Sequence, residues 1–149
     1  MDAGAMVRLA KAWKTVPDQE IFIGHYEQDV MDIPARGDLN LDAVIDTRGQ
    51  IAFLEHVQAE VTLSFHPRGA LTIYLTSPMG TQSTLLPTRP RDNKSKLMAW
   101  KFLTVHCWGE NPTGKWTLRI SHQGSGNKGK DVGPLVMVVE EEWIVGMLD

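Results

Sequence analysis

The sequence predicts a mainly β protein, an antiparallel β-sandwich or jelly roll, preceded by one short helix. Three segments alternate apolar and polar residues with a period of two, which is typical of strands that bury one face. Two turns share the form Ser/Asn-Pro-x-Gly, in which Pro presets the backbone and Gly ends the turn. Short strands spaced by such turns indicate antiparallel sheets packed face to face.

The first thirteen residues predict an amphipathic helix with Asp2 as its N-cap. Its apolar residues have the spacing of one helix face: Met6, Leu9, Ala10 and Trp13. Pro17 prevents the helix from continuing, because it lacks an N–H and disfavours helical geometry before it. A helix this short is marginal in water on its own. We therefore expect its apolar face to pack on a partner outside this chain.

The clearest predicted strands are residues 57–65, 71–75 and 116–120. Residues 66–70 contain Pro and Gly and have the length of a hairpin loop between the first two strands. The predicted turns are Ser77 to Gly80 and Asn111 to Gly114, and residues 123–133, which hold four glycines, predict a long flexible loop.

Composition limits the classes of function. The chain has 149 residues, of which 42% are hydrophobic and 22% charged, so it has the size and composition of one globular domain. A net charge of -3 gives no broad electrostatic footprint for nucleic acid or an anionic membrane. The longest aliphatic run, residues 135–139, is far shorter than the roughly 20 residues of a membrane span. The single cysteine, Cys107, excludes an internal disulfide and a Cys-rich metal site.

A search for catalytic motifs finds no G-x-S-x-G elbow, H-E-x-x-H helix, P-loop or G-x-G-x-x-G turn. The histidines lack metal-ligand spacing. Glu55 and His56 resemble an acid–base pair, but neighbours on a strand point to opposite faces. Cys107 beside His106 suggests a nucleophile, yet a free Cys is more often a small buried hydrophobe. We predict no catalytic, cofactor-binding or metal-ligating residue in this chain.

Two further features concern individual side chains. Aromatic residues with mixed spacing form either a ligand platform or part of the core, and we predict the core for Trp100, Phe102, Trp108 and Trp116. The triplet Asn93-Lys94-Ser95 fits the N-glycosylation acceptor pattern in a polar stretch. Asn93 is therefore a predicted glycosylation site if the protein enters the secretory pathway.

Longer motifs in a fixed order carry a family resemblance. They are FLEHVQA at 53–59, RGALTIYLTSPMGTQSTLL at 68–86, WKFLTVHCWGENP at 100–112 and GKWTLRI at 114–120. These residues resemble the P domain (Homo B domain) of subtilisin/kexin-type proprotein convertases of the furin and neuroendocrine kind. The resemblance implies a jelly-roll-like, galactose-binding-like sandwich. Residues 1–17 resemble the last helix of the convertase catalytic domain and the linker that follows it.

The sequence departs from the family pattern at several points. Ala70 stands where the family usually has Asp, and Lys96-Leu97 replaces a usual Gly-Phe. Residues 18–50 contain none of the cysteines that many members pair there. The closing strand of the family is matched only at Gly133 and Leu135. We therefore expect a P domain over 18–135 and a divergent C-terminal tail over 136–149, which leaves open whether the sandwich is completed.

The resemblance implies a division of labour. Convertases are serine endopeptidases that cleave precursors at basic sites, with a triad in a catalytic domain upstream of the P domain. This chain would then be a fragment that stabilises and regulates that domain, with no activity of its own. Calcium is implied for the full-length family and no cofactor for this chain. The implied partner is the upstream subtilisin-like catalytic domain, and the implied location is the secretory pathway (Golgi, secretory granule or extracellular).

Two alternatives remain open from the sequence. The first is an independent jelly-roll module that binds protein or glycan, for which an exposed tryptophan would be the expected contact residue. The second is a truncated product that does not fold stably, which hydrogen exchange in residues 57–65 and 71–75 would reveal.

Overall fold

The computed structural model describes residues 2–13, 19–26, 31–123, 129–132 and 135–141. Within these ranges the chain forms one α-helix, a short 3-10 turn at Arg68–Ala70 and ten strands. In chain order the elements are α1 (Ala3–Ala12), β1 (Glu20–Tyr26), β2 (Met31–Ile33), β3 (Gly37–Ile45), β4 (His56–Ser64), β5 (Leu71–Thr76), β6 (Gln82–Leu86), β7 (Lys96–Thr104), β8 (Gly114–His122), β9 (Gly129–Val132) and β10 (Leu135–Glu141). Every strand pair is antiparallel, which confirms the predicted fold class.

The predicted helix and its cap are confirmed. The Asp2 carboxylate accepts a hydrogen bond from the Ala5 amide at 3.0 Å, which satisfies one of the free N–H groups of the first turn. The helix is followed by Trp13 in an extended conformation. No residue of α1 is buried among the described parts of the chain; its large apolar side chains are 56–61% exposed, and Trp13 directly after it is 63% exposed.

A six-stranded sheet is organised around β4. One edge of β4 pairs with β7, from Val57 opposite Thr104 to Ser64 opposite Lys96. The other edge pairs with β10 over residues 56–60 and meets β9 at Ser64. β1 pairs with the far side of β10, and β2 pairs with β9. The backbone of residues 135–141 thus completes this sheet, where the sequence left the closing strand open.

The second sheet has four strands in the order β3-β8-β5-β6. Its central strand β8 pairs along its whole length with β3, from Gly37 opposite His122 to Ile45 opposite Gly114. The opposite edge of β8 pairs with β5. Both sheets turn alternate side chains toward one common core, and the three predicted alternating strands supply its centre: Val57, Ala59, Val61, Leu63, Leu71, Ile73, Leu75, Trp116, Leu118 and Ile120.

The predicted hairpin between residues 57–65 and 71–75 is wrong, because these segments belong to opposite sheets. Residues 66–70 instead cross from one sheet to the other through the 3-10 turn. The physical reason is that the backbone of residues 65–69 hydrogen-bonds to residues 89–95 instead of forming a tight turn between paired strands. The 3-10 turn then leads into β5, which pairs with β6 and β8 in the opposite sheet. A strand is also present at 129–132, within the predicted flexible loop, and residues 124–128 and 133–134 lie outside the described residues.

Residues 87–95, called the strap below, lie along this crossing connection. The Gly69 amide donates to the Asp92 carbonyl at 3.1 Å, and the Arg89 amide donates to the Gly69 carbonyl at 2.7 Å. The Asp92 carboxylate binds the Arg68 and Arg89 guanidinium groups at 2.8 and 3.1 Å. Burial raises the pKa of the Asp92 carboxyl, but hydrogen bonds from Arg68, the Lys94 amide and Arg89 outweigh burial and hold that pKa below its ordinary value.

Candidate docking surface

The residues considered for catalysis do not form a site. The Glu55 side chain is buried just before β4, whereas His56 begins the strand and its ring packs edge-on against Trp108 at 6.1 Å. Within the described ranges there is no group of three or more His, Cys, Asp or Glu side chains that could hold a metal ion. In the same ranges no helix is both long and apolar enough to cross a membrane.

Cys107 is a buried thiol with a raised pKa. Only 1% of the residue is exposed, and burial together with the negative charge of Glu110 raises the thiol pKa to about 11. A hydrogen bond with Ser77 offsets part of this shift. Since the thiolate is the reactive form, the thiol is inert near neutral pH.

We expect Cys107 to resist alkylation in the folded chain. Iodoacetamide near neutral pH should leave the native protein unmodified, because the thiol is both protonated and covered. The same reagent should modify the chain fully in guanidinium chloride, as measured by intact mass. Rapid alkylation of the native chain would contradict this account of the site.

The aromatic residues predicted as core separate into two pairs. Trp116 is completely buried and Phe102 is buried against the same core. The core prediction is wrong for Trp100 and Trp108, which are 47% and 49% exposed. Trp100 lies on β7 beside an irregularity at Ala99, whose φ is 46°. Its ring stacks with Phe102 and also contacts the Arg68 guanidinium. Trp108 follows β7 in a turn, where no strand of the described sheets covers it.

The outer face of the four-stranded sheet is adapted to water. Arg119 pairs with Asp38 at 3.3 Å and lies over the Tyr74 ring at 4.4 Å. Asp42 accepts hydrogen bonds from Thr117 and Lys115, which lower the pKa of its carboxyl despite some burial. Apart from Val44, which is exposed, the outward residues of β3, β5 and β8 are polar or, at Tyr74, aromatic with a hydroxyl.

The outer face of the six-stranded sheet is different. Four aliphatic side chains point outward on β1 and on or directly after β7. Each is 45–57% exposed: Ile21, Ile23, Leu103 and Val105. Trp108 adjoins them through its contact with the His56 ring. We call these five residues the apolar face. An apolar patch of this kind on a protein surface marks a site of interaction.

The backbone register arranges these positions in rows across the sheet. One row runs from Ile23 through positions 138 and 58 to Leu103, and the next runs from Ile21 through position 140 to His56. Neighbouring strands lie about 4.8 Å apart, so each row spans roughly 14 Å. The apolar residues of β1 and β7 therefore belong to one surface that a single partner can cover.

A period of two in the sequence does not reveal this surface, but two apolar runs in the sequence do indicate it. Residues 21–23 read Ile-Phe-Ile and residues 102–105 read Phe-Leu-Thr-Val, which are nearly continuous apolar runs rather than alternating ones. Such runs are typical of strands buried on both faces. One face of β1 and β7 packs on the core in this chain, and the other is uncovered. The runs therefore indicate a covering body that the described residues do not supply.

Comparison with known proteins gives consistent matches. A family model described as proprotein convertase P-domain matches residues 54–132. The chain is similar to human neuroendocrine convertase 2, with 47% identity over 131 residues, which cover 84% of this chain and 20% of that protein. It is also similar to furin-like protease 2 of Drosophila melanogaster, with 47% identity over 131 residues, 83% of this chain and 8% of that protein. The chain thus spans a fifth or less of the length of these relatives.

Solved structures match the fold. A serine protease of Aeromonas sobria matches with a TM-score of 0.69 and 18% identity over 92% of this chain and 29% of that one. The same protease in complex with the chaperone ORF2 matches with a TM-score of 0.71 and 17% identity, over 93% of this chain and 29% of that one. At this level of identity the likeness shows a shared β-sandwich fold and nothing about activity.

Proposed function

This chain is a member of the proprotein convertase P-domain family, and we propose that it docks onto a subtilisin-like catalytic domain and stabilises and regulates that domain. In this proposal residues 1–17 belong to the end of the catalytic domain and its linker, and the sandwich follows. Cleavage of precursors at basic sites is the work of the catalytic domain. The chain alone hydrolyses nothing, and it acts in the secretory pathway.

The contrast between the two outer sheet faces supports docking most directly. One face carries ion pairs and hydroxyl groups that are satisfied in water, such as Arg119 with Asp38. The other carries one longer ion pair, Lys101 with Glu60 at 3.9 Å, beside the apolar face, whose side chains are about half exposed. Fully burying one large aliphatic side chain is worth about 1.5–3 kcal/mol. Covering five half-exposed side chains therefore contributes several kcal/mol before the costs of association, on the order of what a stably docked domain requires.

The position of α1 supports the same partner. Its exposed apolar side chains Met6, Leu9 and Trp13 also need a covering body. Six residue steps separate Trp13 from Gln19, and a chain of that length reaches at most about 22 Å. Ile21 of the apolar face lies only two residues after Gln19. One partner can therefore cover both the apolar side chains of the helix and the apolar face. A helix that belongs to the catalytic domain would bring that domain directly to β1.

Electrostatics give a reason why such a domain needs support. A surface rich in carboxylates, which binds basic substrates, repels itself, and buried apolar area at a docked sandwich offsets that repulsion. In this proposal the calcium implied by the family resemblance is held by the catalytic domain. Docking would then change how that domain depends on calcium and pH.

The proposal is tested by binding to a convertase catalytic domain that lacks its own P domain. Leu103→Asp and Ile23→Asp each place a charge on the apolar face and should weaken binding about tenfold or more, measured by isothermal titration calorimetry. Thr84→Asp, on the outer face of the other sheet, is the matched control and should bind like the unmodified chain. Equal affinity for all four proteins would contradict docking through this face.

A further inference from the structure

We propose that the strap carries an N-linked glycan on Asn93, at the end of the sandwich away from the apolar face. The proposal rests on the proposed function for one point only, the entry of the protein into the secretory pathway. The acceptor is the side-chain amide of Asn93, and the donor is a lipid-linked oligosaccharyl diphosphate used by a membrane-bound transferase.

The acceptor triplet distinguishes Asn93 from every other asparagine of the chain. Asn93-Lys94-Ser95 has the required hydroxyl residue at the third position and a permissive residue between. The other Asn-x-Ser/Thr triplet is Asn111-Pro112-Thr113, whose central Pro forbids transfer. The chain thus contains one competent acceptor and one natural negative control.

The folded strap presents Asn93 outward. Its two neighbours are anchored: the Asp92 carboxylate binds Arg68 and Arg89, and the Lys94 carbonyl accepts a hydrogen bond from the Arg68 amide at 2.8 Å. Asn93 lies between these anchors, exposed and outside any strand. A bulky polar group on that amide therefore displaces no packed side chain.

The position of Asn93 is compatible with docking. The strap covers the connection that follows β4, next to Phe65 and Gly69. The rows of the apolar face cross β4 near its first residues, His56 and Gln58. β4 has nine residues, which separate its ends by about 26 Å. A glycan on the strap would project at the end opposite the surface that the catalytic domain covers.

In the folded chain the Ser95 hydroxyl lies 3.1 Å from the His66 ring nitrogen, so this exposed contact must open for the transferase to engage the hydroxyl. In the reaction the Asn93 amide nitrogen forms a bond to the first sugar carbon as that carbon's bond to the lipid diphosphate breaks. The diphosphate leaves with the electron pair, and the amide loses one proton to the enzyme.

The test is translation of the full chain, directed by an added cleavable leader, in the presence of microsomes. One upward shift in mass is expected, reversed by an endoglycosidase specific for N-glycans. Asn93→Gln and Ser95→Ala should abolish the shift, Ser95→Thr should retain it, and Asn111→Gln should leave it unchanged. Absence of the shift in the unmodified chain, or its persistence in Asn93→Gln, would overturn the proposal.

Two further results separate this inference from the proposed function. Glycosylated chain and Asn93→Gln should bind the catalytic domain with equal affinity, because the glycan lies away from the apolar face. A glycan present together with binding weakened tenfold would show that the strap faces the partner, which overturns the placement. A glycan present without binding in either protein would contradict docking but leave the acceptor site intact, since the microsome assay requires no partner.

Discussion

Replacing Trp116 by Ala is expected to lower the free energy of unfolding by about 3–5 kcal/mol. The indole is completely buried between the two sheets, on the central strand of the four-stranded sheet. Its Nε1 donates to the Pro112 carbonyl at 2.9 Å, so the residue also ties the predicted turn at 111–114 to the core. Truncation leaves a large cavity and one buried carbonyl without its donor.

Urea unfolding followed by circular dichroism measures this loss. Trp116→Phe keeps most of the volume and removes the N–H, so it should cost clearly less than the alanine variant. Trp108→Ala is the control, since that side chain is half exposed and should cost less than about 1 kcal/mol. A loss below about 1 kcal/mol for Trp116→Ala would contradict the core described above.

The second large effect is expected for Gly69→Ala, at about 2–4 kcal/mol. A Cβ atom built on Gly69 lies 2.1 Å from the Arg89 carbonyl oxygen and 2.6 Å from that of Asp92. These atoms are backbone, so they move only if the strap moves. Displacement of the strap breaks the two hydrogen bonds that Gly69 makes to it. Alanine is thus unfavourable at position 69 because two backbone segments approach closely there, and not because the position requires the conformational freedom of glycine.

Thermal and urea unfolding measure the Gly69→Ala effect, with hydrogen exchange at the Arg89 amide as the local readout. Thr88→Ala, an exposed change within the strap, is the control and should stay within about 0.5 kcal/mol. An unfolding free energy for Gly69→Ala equal to that of the unmodified chain would mean that the strap does not lie against residue 69.

The strands that the sequence predicts best have one face packed on the core and one face turned toward solvent. Residues 57–65, 71–75 and 116–120 alternate because one side of each packs on the core and the other is polar or partly covered. The helix and its Asp2 cap were predictable for a different reason, because periodicity and capping are local signals. Pairing between distant segments is not local, so the crossing of residues 66–70 between sheets could not be read from spacing.

The apolar face was harder to predict because β1 and β7 do not alternate apolar and polar residues. Ile21 and Ile23 are apolar on the outer side of β1 although Phe22 packs inward, so the period of two disappears. Trp100 and Trp108 were misassigned because aromatic residues are abundant in cores, whereas an edge strand and a turn leave these two uncovered. Identity with known convertases, rather than periodicity, shows the family of the chain, and the proposed partner starts from that family.

Docking through the apolar face is the central claim, and hydroxyl-radical footprinting tests it most directly. The chain is labelled alone and joined to a convertase catalytic domain, and oxidation is read by mass spectrometry at Trp108, Trp13 and Trp100. Trp108 and Trp100 are almost equally exposed in the chain, so they form a matched pair. The account predicts that Trp108 and Trp13 become protected while Trp100, beside the strap, is labelled as before. Unchanged labelling of Trp108, or protection of Trp100 alone, would contradict it.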